Sequence, residues 1–484
     1  MKKLAELLKN TPVKALHGDG SAPVAGLVYD SRTVKPGDCF FAVRGTQSDG
    51  HDYIPAALAK GAAAVVCERM PDAPVEGVAW VEVEDSAGAM ADMAAAFCDY
   101  PSRELKLVGI TGTNGKTTTV TLLYDLVRAM GYKAGLISTV VYKIDGREVE
   151  STHTTPDPIR LNAMMREMAD AGCEFCFMEC SSHAIVQERT RGLDFAGGIF
   201  SNITHDHLDY HKTFAEYIRA KKLFFDGLPK GAFALTNADD RNGRVMVQNT
   251  AASVSTYSLR AMADFRCKIV EMHLDGMLLR IDGQELWVGL LGRFNAYNLL
   301  AVYGAAVLLG LDRGEVLRVL SVLHAVSGRF EKIRAANGTT AIVDYAHTPD
   351  ALENVIQTIE EIRTPEQQLI VVCGCGGDRD RTKRPEMAQI AVKYATTAIF
   401  TSDNPRHESP EAILDDMAAG LDPGVRYLRI ADRAEAIRTA VMLSRPGDIL
   451  LVAGKGHETY QIVGDVKHHF DDREEVRKSF ELLN

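Results

Sequence analysis

The chain has 484 residues, 46% of them hydrophobic and 25% charged, the balance of an ordinary globular protein with a core spread over about three domains. That excludes wholesale disorder, a collagen-like repeat and a coiled-coil rod. With 54 Lys and Arg against 65 Asp and Glu the formal net charge is −11, which disfavours unspecific binding to nucleic acid or anionic lipid. Any phosphate-bearing ligand must be held by a local constellation.

The first hundred residues predict a small α/β domain, residues 1–103. Leu27-Val28-Tyr29 and Cys39-Phe40-Phe41-Ala42-Val43 read as short strands around a Lys35-Pro36-Gly37-Asp38 turn, and residues 86–99 read as a helix stopped by Pro101. The basic start, Met1-Lys2-Lys3, lacks the apolar run of a signal peptide, and no window offers 18 uninterrupted apolar residues for a membrane span. Nine scattered cysteines fit no disulfide framework. A cytoplasmic protein is expected.

A second domain, residues 104–327, opens on the apolar run Leu105-Lys106-Leu107-Val108-Gly109-Ile110, followed by a glycine-rich turn and a helix from about 116 to 130. Strand-like runs recur at 175–179 and 198–202, so a mostly parallel sheet is expected. Alternation over 254–290 suggests an antiparallel extension, and a helix over 296–309 closes the unit. A third domain, residues 328–484, carries buried-strand candidates at 341–345, 369–373, 398–401 and 449–453, with helices over 351–362 and 410–419. The expected fold class is therefore α/β in three domains. A small N-terminal α/β unit precedes a central P-loop-type ATPase sheet and a C-terminal Rossmann-like doubly wound sheet.

Gly109-Ile110-Thr111-Gly112-Thr113-Asn114-Gly115-Lys116-Thr117-Thr118 lies between a strand and a helix. Glycines let backbone N–H groups curl around phosphate oxygens, and the helix N-terminus adds a positive dipole. Lys116 can reach β- and γ-phosphates and the Thr117 hydroxyl suits Mg²⁺. The glycine spacing departs from the usual pattern, which wants glycine where Ile110 stands. Glu179 ends a predicted strand, where open α/β sheets place their ligands, and with Thr117 it makes a hard-oxygen site. His205, His207 and His211 are close enough in sequence to suggest zinc as well.

These motifs, with others in all three predicted domains, resemble those of the Mur ligase family of ATP-dependent peptidoglycan-precursor ligases. The resemblance spans essentially the whole chain. It implies contacts from Ser31, Thr46, Gln47 and Ser48, and from Thr154, Thr155, Ser181, Gln187 and Arg189, to a UDP-N-acetylmuramoyl dipeptide. It implies ATP contacts from Gly112, Thr113, Asn114, Gly115, Lys116, Thr117 and Thr118, and from Asn295, Arg329, Asp344 and His347. Asn295, read without the family, is only a helix cap. Metal ligation is implied for Thr117, Glu179, His207 and a carbamylated Lys221, with Mg²⁺ as cofactor and ATP as co-substrate. Lys222 competes with Lys221, which is preferred because Ala220-Lys221 then aligns. Lys116, Glu179, His207 and Lys221 form the implied catalytic set.

Asp403-Asn404-Pro405-Arg406 resembles the segment marking family members that add meso-diaminopimelate, as opposed to lysine. An arginine fork pairs with a carboxylate through two parallel bonds, and diaminopimelate has one carboxylate more than lysine. Arg384, Gly454 and Glu458 complete the implied acceptor set, Glu458 suiting an ammonium. The resemblance thus implies an acyl-phosphate ligase; a monomer is expected, and the acidic balance argues against a nucleic-acid partner. A lysine-adding relative, a folylpolyglutamate synthetase-like ligase, a P-loop switch and a non-catalytic binding protein are the rival readings.

Overall fold

The computed structural model describes residues 1–45, 48–204 and 206–483. Three sheets organise the chain. In the first, the buried strands Leu27–Val28, Cys39–Phe41, Ala64–Cys67 and Ala79–Val83 run parallel, and Val13–His17 closes one edge antiparallel. The alanine-rich helix Ser86–Phe97 covers it because small side chains let helix and sheet approach closely, Met90 and Met93 filling the gap.

The central sheet has eleven strands. At its middle lies Lys106–Thr111, whose residues after Lys106 are all buried, as a strand covered on both faces requires. Phe175–Glu179 and Gly197–Phe200 flank it in parallel register, and Ala134–Ile137 and Phe233–Asn237 continue outward. The expected antiparallel extension is Phe265–His273, Gly276–Ile281 and Gln284–Val288, while Ser253–Ser258 still runs parallel to its neighbours. At the other edge stands a hairpin of Val141–Ile144 and Arg147–Glu150. Its Asp145-Gly146 turn is the chemistry of a two-residue hairpin, a signal the sequence reading passed over.

The third sheet orders Glu331–Arg334, Thr340–Asp344, Ile449–Ala453, Leu369–Cys373, Thr397–Phe400 and Leu428–Arg429. All pairings are parallel except that of Glu331–Arg334. Ile449–Ala453, last of these in the chain, is inserted between the first two parallel strands, so the ends of Thr340–Asp344, Ile449–Ala453 and Leu369–Cys373 converge. Each fully buried Val, Leu or Ile in such strands contributes roughly 1.5–3 kcal/mol. One continuous apolar cluster joins the central and third units, with Phe294 and Phe330 rings 6.0 Å apart at the seam. Among the described residues no helix is long and apolar enough to cross a membrane.

Candidate active site

A cavity of about 470 Å³ opens between the central and third sheets, walled by the loops after their parallel strands. The phosphate loop forms its floor. Gly112 has φ +151°, and a side chain there would collide with the Ser201 hydroxyl, so only glycine lets the turn pack against the next strand end. Asn202 then clamps the loop from behind: Thr113 N–H donates to its carbonyl at 2.8 Å, and its side-chain amide bridges Asn114 N and O at 3.0 Å each. Asn114, Gly115, Lys116, Thr117 and Thr118 all line the cavity with Thr113. Lys116 Nζ donates to the Gly112 and Thr113 carbonyls at 3.0 and 2.8 Å, curled over the concavity that a phosphate would fill.

Thr117 Oγ1 donates to Glu179 Oε1 at 2.9 Å, and Thr139 N–H donates to the same oxygen at 2.7 Å. Arg329, from the third unit, reaches across and donates to Thr117 Oγ1 at 3.2 Å while stacking 4.6 Å over the Tyr345 ring. Asp344 lies buried beside it and accepts from Phe330 N–H at 2.6 Å; burial raises its pKa to about 6. His347 is held through Nδ1 by the Tyr345 carbonyl at 2.9 Å, and burial, then Lys383, pushes its pKa down to about 4. Thr348 caps the helix Pro349–Ile362, which presents Asp350 to Asn114 at 2.8 Å. The cavity is therefore closed by contacts between two units.

Lys221 is buried, 1% exposed, against this floor, donating to Gly112 O at 2.7 Å and lying 4.5 Å from the Tyr217 ring centre. Desolvation, then the charge of Lys116, holds its pKa well below the ordinary lysine value, which favours a neutral amine. Lys222, on the same helix Phe214–Asp226, pairs with Asp226 at 2.6 Å and is absent from the cavity wall. His207 stands at the cavity rim in the left-handed region, φ +53°, and desolvation there lowers its pKa to about 4.

Thr117, Glu179, His207 and Lys221 thus face one space. Among the described residues no group of three or more His, Cys, Asp or Glu is poised to hold a metal ion. The hard oxygens of Thr117 and Glu179 nonetheless fit Mg²⁺, which takes few protein ligands and completes its shell from substrate phosphates and water.

Several expected contacts occupy other places. Asn295 is not a cap: Gly292 holds that position, and Asn295 lies buried inside the helix Arg293–Leu308. Its amide donates to Leu291 O and its oxygen accepts from Asn298, so Phe294, Tyr297 and Asn298 line the cavity in its stead. Thr154 and Ser181 face the cavity. The Thr155 hydroxyl is used internally, donating to Glu179 O at 2.7 Å and accepting from Ser181 N–H at 3.2 Å. Arg189 braces the same turn, donating to Thr155 O at 2.7 Å and to Gln187 Oε1 at 2.6 Å. Asp157 caps the next helix, Pro158–Asp170, and so aims the turn at the cavity.

Ser31 is buried and Ser48 exposed in the first unit, outside the cavity; Thr46 and Gln47 lie outside the described residues. The turn bearing Ser31 nevertheless faces the central unit, since Tyr29 feels the charges of Asp157 and Arg189. Arg191–Asp92 at 3.0 Å and Arg103–Asp194 at 2.8 Å tie the two units together.

The third unit carries a second polar pocket. Asp403 and Asn404 follow Thr397–Phe400, and residues 454–458 follow Ile449–Ala453. Gly454 has φ +117°, and a Cβ there would lie 2.7 Å from Asp403 Oδ2. The Asn404 amide donates to Glu458 Oε2 at 2.9 Å, and the buried Lys455 donates to both, at 3.1 Å to Asn404 Oδ1 and 2.9 Å to Glu458.

Arg406 is half-buried at φ +51°, a strained position for a non-glycine residue. A hairpin of Tyr460–Val463 and Val466–His469 holds it there: Arg406 N–H donates to Ile462 O at 3.0 Å and Gly464 N–H returns to Arg406 O at 2.8 Å. Gln461 Nε2 donates to Asp403 O at 2.6 Å. Arg384 does not open on this pocket. Its side chain is fully enclosed and bonded to Glu408 at 2.8 and 2.9 Å and Asp416 at 2.7 Å, so it braces the 404–408 turn from behind. A buried arginine with carboxylate partners nearby takes them, and nothing in Lys383-Arg384-Pro385 discloses those partners.

The sequence reading missed Lys455, the hairpin, and Asp239, Asp240 and Arg260, which line the cavity from loops after Phe233–Asn237 and Ser253–Ser258. A buried lysine in Gly454-Lys455-Gly456 was a usable signal; the others carry none.

The three-sheet architecture and the phosphate loop facing an arginine from another unit define an ATP-dependent ligase. Family models describe residues 23–98 as a Mur ligase family catalytic domain, 110–306 as a Mur ligase middle domain and 328–456 as a Mur ligase glutamate ligase domain. The chain belongs to the Mur ligase family. A curated relative from Bacteroides thetaiotaomicron, named UDP-N-acetylmuramoyl-L-alanyl-D-glutamate–2,6-diaminopimelate ligase, is 54% identical over 479 residues, 99% of each chain. A solved structure of a ligase with that same name is 34% identical, covers 100% of this chain and 99% of its own, and superposes with a TM-score of 0.71. A folylpolyglutamate synthase from Mycobacterium tuberculosis, complexed with ADP and AMPPCP, shares the fold alone, at 17% identity and a TM-score of 0.62 over 75% of this chain and 91% of its own.

Proposed function

We propose that the protein adds meso-2,6-diaminopimelate to the D-glutamyl γ-carboxylate of UDP-N-acetylmuramoyl-L-alanyl-D-glutamate, consuming ATP, in cytoplasmic peptidoglycan-precursor synthesis. The observation that carries this reading is the acceptor pocket. It offers a guanidinium, Arg406, and a carboxylate, Glu458, on two strand ends of the third sheet, as the ammonium and carboxylate of a zwitterion require. The 54% identity to the Bacteroides ligase over nearly the whole chain supports it.

The carboxylate must be activated, because its negative charge resists attack by an amine. The γ-carboxylate oxygen attacks the γ-phosphorus of ATP, forming an acyl phosphate and releasing ADP. The amine of diaminopimelate, having lost its proton, attacks the acyl carbon, and the tetrahedral intermediate collapses by expelling phosphate. Lys116 meets charge on the β- and γ-phosphates, and Arg329 adds a second cation from the opposite wall.

Bound Mg²⁺, held by Thr117 and Glu179 with His207 and carbamylated Lys221, would offset charge on the phosphates. Carbamylation converts the buried Lys221 cation into an anion with two oxygens, and its depressed pKa supports reaction with CO₂. In this reading Asn298, Phe294 and Tyr297 take the nucleoside side of ATP. Ser31, Thr46, Gln47, Ser48, Thr154 and Ser181 take the UDP-dipeptide, and Thr155, Gln187 and Arg189 hold its turn. The domains divide at 1–103, 104–327 and 328–484, and the protein works as a monomer.

The test is phosphate release by purified protein with ATP, Mg²⁺ and the UDP-dipeptide, comparing meso-diaminopimelate with L-lysine. Release only with diaminopimelate is expected; equal rates would overturn the acceptor assignment.

A further inference from the structure

The two halves of the acceptor pocket stand on strands that are not neighbours. Residues 403–406 follow Thr397–Phe400 and residues 454–458 follow Ile449–Ala453, and Leu369–Cys373 lies between those two strands. The last paired residues are Cys373 with Phe400 on one side and Val372 with Val452 on the other. Past them the hydrogen-bond ladder no longer sets the separation of the two loops. Inside the pocket Asn404 bonds to Lys455 and Glu458, polar groups for which a zwitterionic substrate would compete.

A second link lies behind the wall. Arg433 donates to Ala453 O at 3.0 Å and to Ser402 O at 3.4 Å, one carbonyl at the root of each loop. Its fork is held from the other side by Asp472, at 2.7 and 2.8 Å, and both side chains are fully enclosed. Burial works against the charged guanidinium, and the charges of Asp472 and Asp403 outweigh it.

Local propensity does not account for this arginine. It opens the helix Arg433–Leu443, where a cation opposes the macrodipole, and Asp472 opens the helix Asp472–Glu481. Nor does a core need such a pair, because apolar side chains of similar volume stabilise an interior as well or better. What apolar groups cannot supply is a rigid fork with donors left over for two carbonyls.

We propose that Arg433, oriented by Asp472, is a positioning residue that sets the spacing of the two acceptor loops, and with it the distance between Arg406 and Glu458. It touches no substrate and acts through the Ser402 and Ala453 carbonyls. This rests on the acceptor reading above and extends the machinery of that site to the helix Asp472–Glu481.

The experiment measures kcat and KM of the full chain for meso-diaminopimelate, ATP and the UDP-dipeptide, alongside thermal unfolding. Arg433→Lys keeps a cation against Asp472 but loses the fork. It is expected to raise the KM for diaminopimelate about tenfold, since small misplacements of binding groups are costly, and to leave kcat and the other KM values within about twofold. Arg433→Met combined with Asp472→Leu removes both charges, so no ion is left buried without a partner. The same selective rise is expected there. A purely structural role predicts that all three KM values rise together, or that the KM for diaminopimelate merely follows the melting temperature. Either result in a folded variant overturns the proposal, as does an unchanged KM for diaminopimelate. Should one variant fail to fold, the other decides by itself. If the unsubstituted protein shows no preference for diaminopimelate over L-lysine, the acceptor reading fails first, and this inference falls with it.

Discussion

The phosphate loop and the acceptor turn 403–406 both follow the C-terminal end of a parallel strand, yet they hold their shape by different means. In the loop, glycine backbone and one neighbouring strand end suffice: Gly112 sits against Ser201, and Asn202 bonds Asn114 on both sides. In the acceptor turn the restraints come from three separate segments of the chain. Lys455 and Glu458 hold Asn404, the 460–469 hairpin holds Arg406 in a left-handed conformation, and Arg384 anchors the following Glu408. A phosphate site needs backbone N–H groups at one helix end, which a local motif can supply. A site for a doubly charged side chain needs opposite charges a few ångströms apart, which several strand ends must supply together.

The comparison can be broken most directly at Lys116. Lys116→Ala should reduce phosphate release roughly 10²–10³-fold with every acceptor, since charge on the transferring group loses a preorganised cation. Steady-state kinetics with a thermal-melting control checks this; an acceptor-dependent loss would mean that the two sites are not separable. Arg406→Ala should be selective. It is expected to lower kcat/KM for meso-diaminopimelate about 10²-fold, the scale of a lost charged hydrogen-bond pair, and to leave the small activity with L-lysine within a few-fold. A uniform loss would mean that Arg406 only shapes the turn.

The smallest effect concerns the brace behind that turn. Arg384 hydrogen bonds hold the Glu408 carboxyl down to about pKa 2, below its ordinary 4.5. A carboxyl with a lowered folded-state pKa adds stability that is fully present above about pH 4.5 and is lost as pH falls toward 2. Arg384→Met should therefore flatten part of the melting-temperature decline between pH 4.5 and 2.5, read by thermal unfolding. It should also raise the KM for diaminopimelate several-fold while leaving the KM for ATP unchanged. An unaltered acid profile would show that the pair contributes nothing measurable there.

Much of the site was legible because its chemistry depends on short-range backbone geometry. Gly112, Gly115, Lys116 and Thr117 declare themselves between a strand and a helix, and the apolar runs at 175–179, 369–373 and 449–453 coincide with strands. Roles set by partners were not legible. Asn295 reads as a cap and is a buried link to Asn298; Arg384 reads as a ligand for substrate and is enclosed by Glu408 and Asp416; Thr155 reads as a substrate contact and spends its hydroxyl on Glu179 and Ser181. In each case the residue type was right for a polar role, and which partner it met depended on elements up to 32 residues away.

By itself the sequence determined the α/β class, the phosphate loop, the Mur ligase motifs and the pattern of buried strands, because periodicity, glycine placement and capping act within a few residues. Only the tertiary structure decided which charges share a pocket. It inserted Ile449–Ala453 beside Thr340–Asp344 and Leu369–Cys373, and so set Lys455 and Glu458 against Asn404. Whether a side chain faces substrate or a buried partner depends on distance through space, and that distance exists only once the strands have been ordered in the sheet.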